Sequence, residues 1–398
     1  KILSYLRNNN DFKSYYNNTV NFNKQKFSLN KIINEENTEA CKIWINIHGK
    51  VLLKNLFALK QMGKIPEDLF SDFKDIDDDL MSEFTPIDIF QYISEDILKK
   101  NTYKITMDNL NLNLTIVSRK KIKDKKLDLI IKRRCLLYLI KHNIDKKSIN
   151  VNLTILLSNA KKTLPLPEYY NVLGPREINS GLASFADNKI LIYREEEHSK
   201  LLIHELIHLF RIDLSVVNIE NISKLVDINS SIQTIPNESI TEILAVIINC
   251  IISSIEVTNK NDISLAVNLL ILEIGFNLFQ CAKILNHFGY TNSNEFFRAN
   301  DGNKRFNQTT SVISYFFIKT ACLFNSKELF EFLKSNFKNL NYTDIEEVKT
   351  NYKSLIVNSL NNTILHSVIN NILLILRNSK KSKSTFFNTL RMTCVEVD

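Results

Sequence analysis

Between Lys200 and Phe210 two histidines and a glutamate are set into a run that is otherwise apolar, Lys-Leu-Leu-Ile-His-Glu-Leu-Ile-His-Leu-Phe. The pattern H-E-x-x-H puts His204 and His208 four residues apart. On an α-helix both imidazoles then share a face, one turn apart, and can reach a single metal ion. Glu205 projects close to the same face, where it can take a proton from a metal-bound water. Leu201, Leu202, Ile203, Leu206, Ile207 and Leu209 make this helix apolar nearly all round, the mark of burial. Polar groups at such depth are costly unless something satisfies them. A zinc ion would.

A second acidic pair lies downstream. Asn237-Glu238-Ser-Ile-Thr241-Glu242 opens a long apolar run, Ile243 to Ile252, and Pro236 precedes it at a natural helix start. Glu238 and Glu242 are four apart, hence on one face, and like charges at that spacing repel unless a cation or a donor lies between them. Zinc bound by two histidines and one glutamate, with the other carboxylate on the far nitrogen of a ligand histidine, supplies both partners.

H-E-x-x-H followed by N-E-x-x-[ST]-[DE] resembles the gluzincin metallopeptidases, the thermolysin-like class. The resemblance covers about residues 178–256. It implies that Glu238 is the third zinc ligand and that Glu242 orients His204. The 29 residues between His208 and Glu238 exceed the thermolysin spacing, and the insert, roughly 213–235, reads as an extra loop or short helix. Clostridial neurotoxin light chains are gluzincins of similar length that also carry a long gap. By spacing alone Glu242 could then be the ligand. The later Arg-x-x-Tyr pair of those proteins is not found here, which favours Glu238. Arg211 and Leu214 stand where the glycine and third histidine of H-E-x-x-H-x-x-G-x-x-H would be, so the chain is not a metzincin.

With 398 residues the chain can build two or three domains. Seven glycines and six prolines point to regular, mainly helical structure. The abundance of Asn, Lys and Ile is that of an AT-rich genome, as in some giant DNA viruses, protists or low-GC bacteria. A net charge of +8 raises the question of nucleic acid, but the charge is spread along the chain without a recognised binding motif, so no nucleic-acid partner is expected. Six scattered cysteines with no C-x-x-C pair read as core thiols of a reducing compartment. The opening KILSYLRNNN lacks the apolar core of a signal peptide. The runs Ile243–Ile252 and Leu265–Phe279 are broken by Asn, Glu or Gly and fall short of a membrane span. A soluble protein, cytoplasmic or virion-associated, is expected.

The periodicities sketch the rest. Residues 1–40 are polar and read as partly extended, with helices over Trp44–Leu59 and Ile87–Leu98 and an acidic patch at Asp72–Asp79 between them. Tyr103, Ile105 and Met107 alternate with polar residues, as do Leu110, Leu112, Leu114 and Ile116, with a phase slip at Asp108-Asn109 that means a bulge or a tight turn. A basic run, Arg119–Lys126, reads as a solvated turn, Leu127–Ile140 as a helix and Val151–Leu157 as a strand. Leu182–Phe185 and Lys189–Tyr193, flanked by turn residues, form a hairpin. The resemblance implies that the edge strand Leu182, Ala183, Ser184 and Phe185 pairs with an extended substrate backbone. Glu195, Glu196 and Glu197 complement the dipole of the metal helix, and His198 and His48 are structural. Helices follow over Leu265–Phe288, which carries Glu273, and over Thr309–Phe324, Lys327–Phe337, Thr343–Leu360 and Ile364–Leu376, then a loosely held basic tail with Lys380, Lys381 and Lys383.

The expected class is therefore α+β, a zincin-like two-lobed metallopeptidase: a mixed sheet plus active-site helix, then a mainly helical C-terminal lobe. Its segments are 1–100, a pro-segment or accessory region; 101–258, the catalytic core; and 259–398, the helical lobe. The expected chemistry is zinc-dependent hydrolysis of a protein or peptide substrate, one Zn2+ per chain, with Glu205 as general base. The oxyanion needs a donor from the second lobe, and Tyr315 and His287 (or Tyr290) are the candidates. The rival is a catalytically silent zinc protein, a virion or scaffold component. It has no use for Glu205, and a closed site would want a fourth protein ligand.

Overall fold

The computed structural model describes residues 35–61, 69–73, 85–95, 98–107, 109–119, 127, 148–165, 172–184, 186–213, 226, 234–297, 305–337, 340, 345–378 and 385–396. The fold is α+β and mostly helical. Its strands are β1 (Leu69–Phe73), β2 (Leu98–Met107), β3 (Leu110–Ser118), β4 (Ile149–Leu156), β5 (Gly181–Ser184) and β6 (Lys189–Ile192). The helices are α1 (Glu35–Gln61), α2 (Ile87–Glu95), α3 (Pro175–Ile178), α4 (His198–Leu209), α5 (Asn237–Thr258), α6 (Ile263–His287) and α7 (Ser293–Phe297). A π-helical turn, Ile313–Ile318, runs into α8 (Lys319–Phe324), followed by α9 (Ser326–Asn336), α10 (Ile345–Leu360), α11 (Thr363–Asn378) and the short α12 (Thr385–Asn388).

The strands form one mixed sheet in the order β1-β2-β3-β4-β6-β5. The pairs β1–β2, β2–β3 and β5–β6 are antiparallel. The pairs β3–β4 and β4–β6 are parallel. Met107 faces Leu110 across the ladder, so the two alternating stretches are separate antiparallel strands rather than one bulged strand. Along β3 the residues Leu110, Leu112, Leu114 and Ile116 enter the core, and Asn111 and Asn113 face out. There each donates to its in-register asparagine on β4, Asn150 and Asn152, at 2.9 Å. That pairing satisfies the amides on a solvated face and fixes the register of a parallel pair.

Against this sheet lies α4, touching β5 and β6 on one side and α5 on the other. Helices α5 and α6 are buried along almost their whole length, so their apolar character is that of a core rather than one amphipathic face. At 22 and 25 residues both are also long and apolar enough to cross a membrane, as is the bent pair α10–α11 taken together, by length and composition alone. The expectation that no segment reaches a span therefore does not hold: the helices continue through the Asn, Glu and Gly that interrupt the apolar runs. Of the most apolar stretches of α5 and α6, 89% and 83% is buried within the protein. A single core cluster runs from Cys41 to Val395, and Trp44 of α1 packs on Phe330 of α9, so the three segments expected from sequence share one interior. Cys41, Cys250, Cys281, Cys322 and Cys394 are free and buried in it.

Several expectations change. The helix from Ile87 stops at Glu95, and Leu98 starts β2 as a buried strand residue, because the pairing of β1 with β2 begins there. The helix around Trp44 begins earlier, at Glu35. The helix expected at Leu127–Ile140 lies outside the described residues apart from Leu127, as do residues 1–34, most of the acidic patch, the basic run beyond Arg119 and most of the 213–235 insert.

The largest correction is at the C-terminal end. Residues 386–396 are not a loose tail. Phe386, Leu390, Met392, Cys394 and Val395 are buried, and distant polar side chains hold the backbone between them. Glu273 Oε1 accepts from Cys394 N at 3.0 Å, Val395 N at 2.8 Å and the Thr393 hydroxyl. Glu197 Oε1 accepts from Met392 N and Thr393 N, both at 2.6 Å. Lys283 donates to the carbonyls of Phe386 and Thr389, and Lys319 to that of Met392 at 3.1 Å. The basic residues Lys380, Lys381 and Lys383 lie outside the described residues.

Candidate metal centre

Helix α4 delivers the first two donors as its spacing requires. His204 is buried, His208 is partly buried, and their Nε2 atoms stand 3.0 Å apart. Glu238, on the first turn of α5, closes the triangle, with Oε2 3.1 Å from His208 Nε2 and 3.3 Å from His204 Nε2. The far nitrogens are engaged elsewhere. His204 Nδ1 donates to Glu242 Oε2 at 3.2 Å, and His208 Nδ1 to Asp213 Oδ2 at 2.8 Å. A carboxylate on each Nδ1–H selects the tautomer whose Nε2 lone pair points into the triangle. Both histidines can therefore present a lone pair to one point. Among the described residues, His204, His208 and Glu238 are the group of side chains placed to hold a metal ion.

The charges follow. Burial works against a charged His208, but Glu238 and Asp213 outweigh it and push its pKa well above the ordinary 6.5. His204 is raised in the same way, burial being overcome by its hydrogen bonds to Glu238 and Glu242. Burial would raise Glu238 and Glu242 as well. The two histidines instead hold Glu238 low, and Lys200, then Lys319, hold Glu242 low. With no cation between them, two imidazoles at 3.0 Å need a proton, and a metal ion takes that place without one.

Asp213 is a partner that spacing alone missed. It lies past the end of α4, beyond Arg211 in a left-handed conformation (φ 56°), where no periodicity reports on it. Its Oδ2 also receives Asn237 Nδ2 at 3.2 Å and the Thr241 hydroxyl at 3.3 Å. Asn237 and Thr241, two polar members of the second motif, thus steady His208 through Asp213. Lys200 was missed too, although a lysine one turn before His204 in an apolar helix is a visible signal. It is 1% exposed and bonds both oxygens of Glu242, at 2.6 and 2.7 Å.

Glu205 is buried beside the triangle, and burial raises its carboxyl pKa. Strand β5 passes close to it at Gly181. A Cβ there would meet Leu191 O at 2.7 Å and Glu205 Oε1 at 3.2 Å, so this approach needs a residue without a side chain. A cavity of about 460 Å³ opens here, lined by the metal cluster, Glu205, Gly181, Leu182, Ala183 and Tyr315 among others. Tyr315 sits in the π-helical turn, a distortion common at functional sites, with its ring 5.8 Å from that of His204. Burial, then the negative charges of Glu238, Glu205 and Glu242, push its hydroxyl pKa well up, so it stays a proton donor.

The other expected site residues are placed differently. His287 ends α6 against Phe288 and does not line the cavity, and Tyr290 receives Phe306 N at its hydroxyl within the core. Neither is among the residues that line the cavity. Ser184 lies beyond the cavity lining and donates to Asp187 at 3.1 Å, and Phe185 falls outside the described residues. Glu197, the N-cap of α4, makes no side-chain cap hydrogen bond. Its side chain forms a 2.9 Å ion pair with Lys162 and carries the C-terminal segment, because its left-handed backbone (φ 59°) turns it inward.

No family model matches the chain, and no solved structure matches it. It is similar to an uncharacterized protein, R210, of Acanthamoeba polyphaga mimivirus, 27% identical over 187 residues. The match takes in 44% of this chain and 48% of that protein, so the chain spans about half the length of the curated relative it matches.

Proposed function

We propose that this chain is a zinc-dependent peptidase of the gluzincin kind, its sheet with α4 forming one wall of a zincin-like cleft and the later helices the other. The observation that carries this reading is the triangle of donors, 3.0, 3.1 and 3.3 Å on its edges, with a carboxylate behind each histidine. Zinc bonds of about 2.0–2.1 Å to N and O give a tetrahedral edge of roughly 3.3 Å, and the donor set of two imidazoles and one carboxylate suits this ion. When bound, zinc supplies Lewis acidity to water and to a substrate carbonyl.

Glu205 is placed to accept a proton from the attacking water and to return it to the leaving amine. Its raised pKa suits both halves of that exchange. Tyr315 faces the same cavity as a hydroxyl donor for the developing oxyanion. Tyr193 N donates to Ser180 O, which turns Ser180 and Leu182 toward β6. By the alternation of an antiparallel pair, the N–H and C=O of Gly181 and Ala183 face the free edge of the sheet, where an extended peptide can pair with them.

The test is zinc content by mass spectrometry on wild type and Glu205→Gln, with cleavage of a generic peptide mixture beside it. One zinc per chain in both, with cleavage in wild type alone, is the expected result. Zinc in both and cleavage in neither returns the chain to the structural reading, and no zinc in wild type refutes the proposal.

A further inference from the structure

Behind the metal triangle the interior carries an ion network that the proposed chemistry does not use. Glu242 is fully buried, with Oε2 shared between His204 Nδ1 at 3.2 Å and Lys200 Nζ at 2.7 Å. Its Oε1 takes Lys200 Nζ at 2.6 Å and lies 3.8 Å from Lys319 Nζ. Lys319 is itself fixed from the far side by the carbonyl of Met392 at 3.1 Å, in the buried C-terminal segment. The sulfur of Met392 lies 3.9 Å from Lys200 Nζ. Four segments of chain meet here: α4, α5, the start of α8 and the stretch at Met392.

A carboxylate on one imidazole nitrogen orients the ring only as well as it is itself oriented. Among the described residues no backbone N–H bonds Glu242, so its plane is set by Lys200 across both oxygens and by Lys319 beside Oε1. We propose that Lys200 and Lys319 are positioning residues of the metal centre, which hold Glu242 in the plane that aims His204 at the ion. Through Met392 and Lys319 the C-terminal segment becomes part of the support of that centre. This inference rests on the metal-centre reading. It adds that affinity for the ion is set two contacts away from it, by lysines that never touch it.

The test is zinc affinity, by competition with a chromophoric chelator, alongside the thermal midpoint of the zinc-free protein. The variants are Lys200→Met, Lys319→Met, Glu242→Gln and the double Lys200→Met/Glu242→Gln. Loss of a partner behind a metal-bound histidine weakens binding by roughly 10–100-fold. Lys200→Met is expected to lose roughly tenfold or more on that scale, and Lys319→Met a smaller factor in the same direction. The thermal midpoint of each zinc-free variant serves to show that it is folded, since the double variant removes the buried carboxylate but also leaves Lys319 without it. The double variant should bind zinc no more weakly than Glu242→Gln alone, because the lysine acts through that carboxylate. Wild-type affinity in folded lysine variants, or losses that add in the double variant, would overturn the inference. Absence of zinc binding in the wild type would instead refute the metal centre itself, before any substitution is compared. If Lys200→Met does not fold, Lys319→Met and the double variant give the same decision.

Discussion

Replacing Glu197 by Gln should remove one defined portion of the acid sensitivity of this protein. Glu197 is fully buried, 2.9 Å from Lys162 Nζ, and accepts from the backbone of Met392 and Thr393. Burial pushes its carboxyl up, but Lys162, Arg391 and Lys200 outweigh that and hold it at about 2, from an ordinary 4.5. A folded pKa below the unfolded one stabilises the fold above pH 4.5, and that stabilisation is lost as pH falls toward 2. At about 1.36 kcal/mol per pK unit the full contribution is on the order of 3 kcal/mol, of which about 2 kcal/mol is gone at pH 3. At pH 6, Glu197→Gln also strands the buried Lys162 ammonium, so the variant should be less stable by roughly 3–5 kcal/mol. The assay is urea unfolding of wild type and variant from pH 6 down to pH 3. Carboxylates remote from Glu197 titrate alike in both proteins and cancel in the difference, while Glu196, which the Glu197 charge helps to raise, is the neighbour that does not. The gap between the two should narrow by about 2 kcal/mol at pH 3. A gap that does not change with pH would refute the reasoning, since Glu197 would then bind no more protons unfolded than folded.

Three further outcomes are expected. Tyr315→Phe should lower kcat by about 10²–10³-fold with zinc content unchanged, and unchanged turnover would remove Tyr315 from the oxyanion site. Gly181→Ala should cost roughly 1–3 kcal/mol of stability by overpacking and displace β5 from Glu205, so an unaltered thermal midpoint with normal activity would contradict the close approach seen here. Glu273→Ala withdraws the acceptor of Thr393, Cys394 and Val395, and should expose residues 386–396 to limited proteolysis and shorten amide protection at residues 393–395. Equal protection in both proteins would show that the segment is held by its apolar side chains alone.

Local pattern carried much of this molecule. Four-residue spacing brought His204 and His208 to one face of a helix and Glu238 and Glu242 to one face of another, because α-helical geometry is set within a turn. Alternation along residues 103–116 marked extended strand, because a half-buried sheet imposes a period of two, but left one bulged strand or two strands open until the pairing of β2 with β3 decided it. What lay beyond local rules was the identity of partners. Asp213 reaches His208 from a left-handed turn, Lys200 and Lys319 close on Glu242 from different helices, and Glu197 and Glu273 hold a segment almost two hundred and about one hundred and twenty residues away. His287 and Tyr315 looked alike as candidates in the sequence, and only the tertiary structure separated them: Tyr315 lines the cavity beside His204, and His287 does not. Lysines near the end of the chain suggested a solvated tail, yet its last described residues are buried, because their backbone groups find charged acceptors and donors inside. Short-range periodicity determined which residues could bind an ion. The tertiary fold decided which buried charges stand behind them, since a buried charge is tolerable only beside its opposite and nothing in the sequence states where that opposite will come to rest.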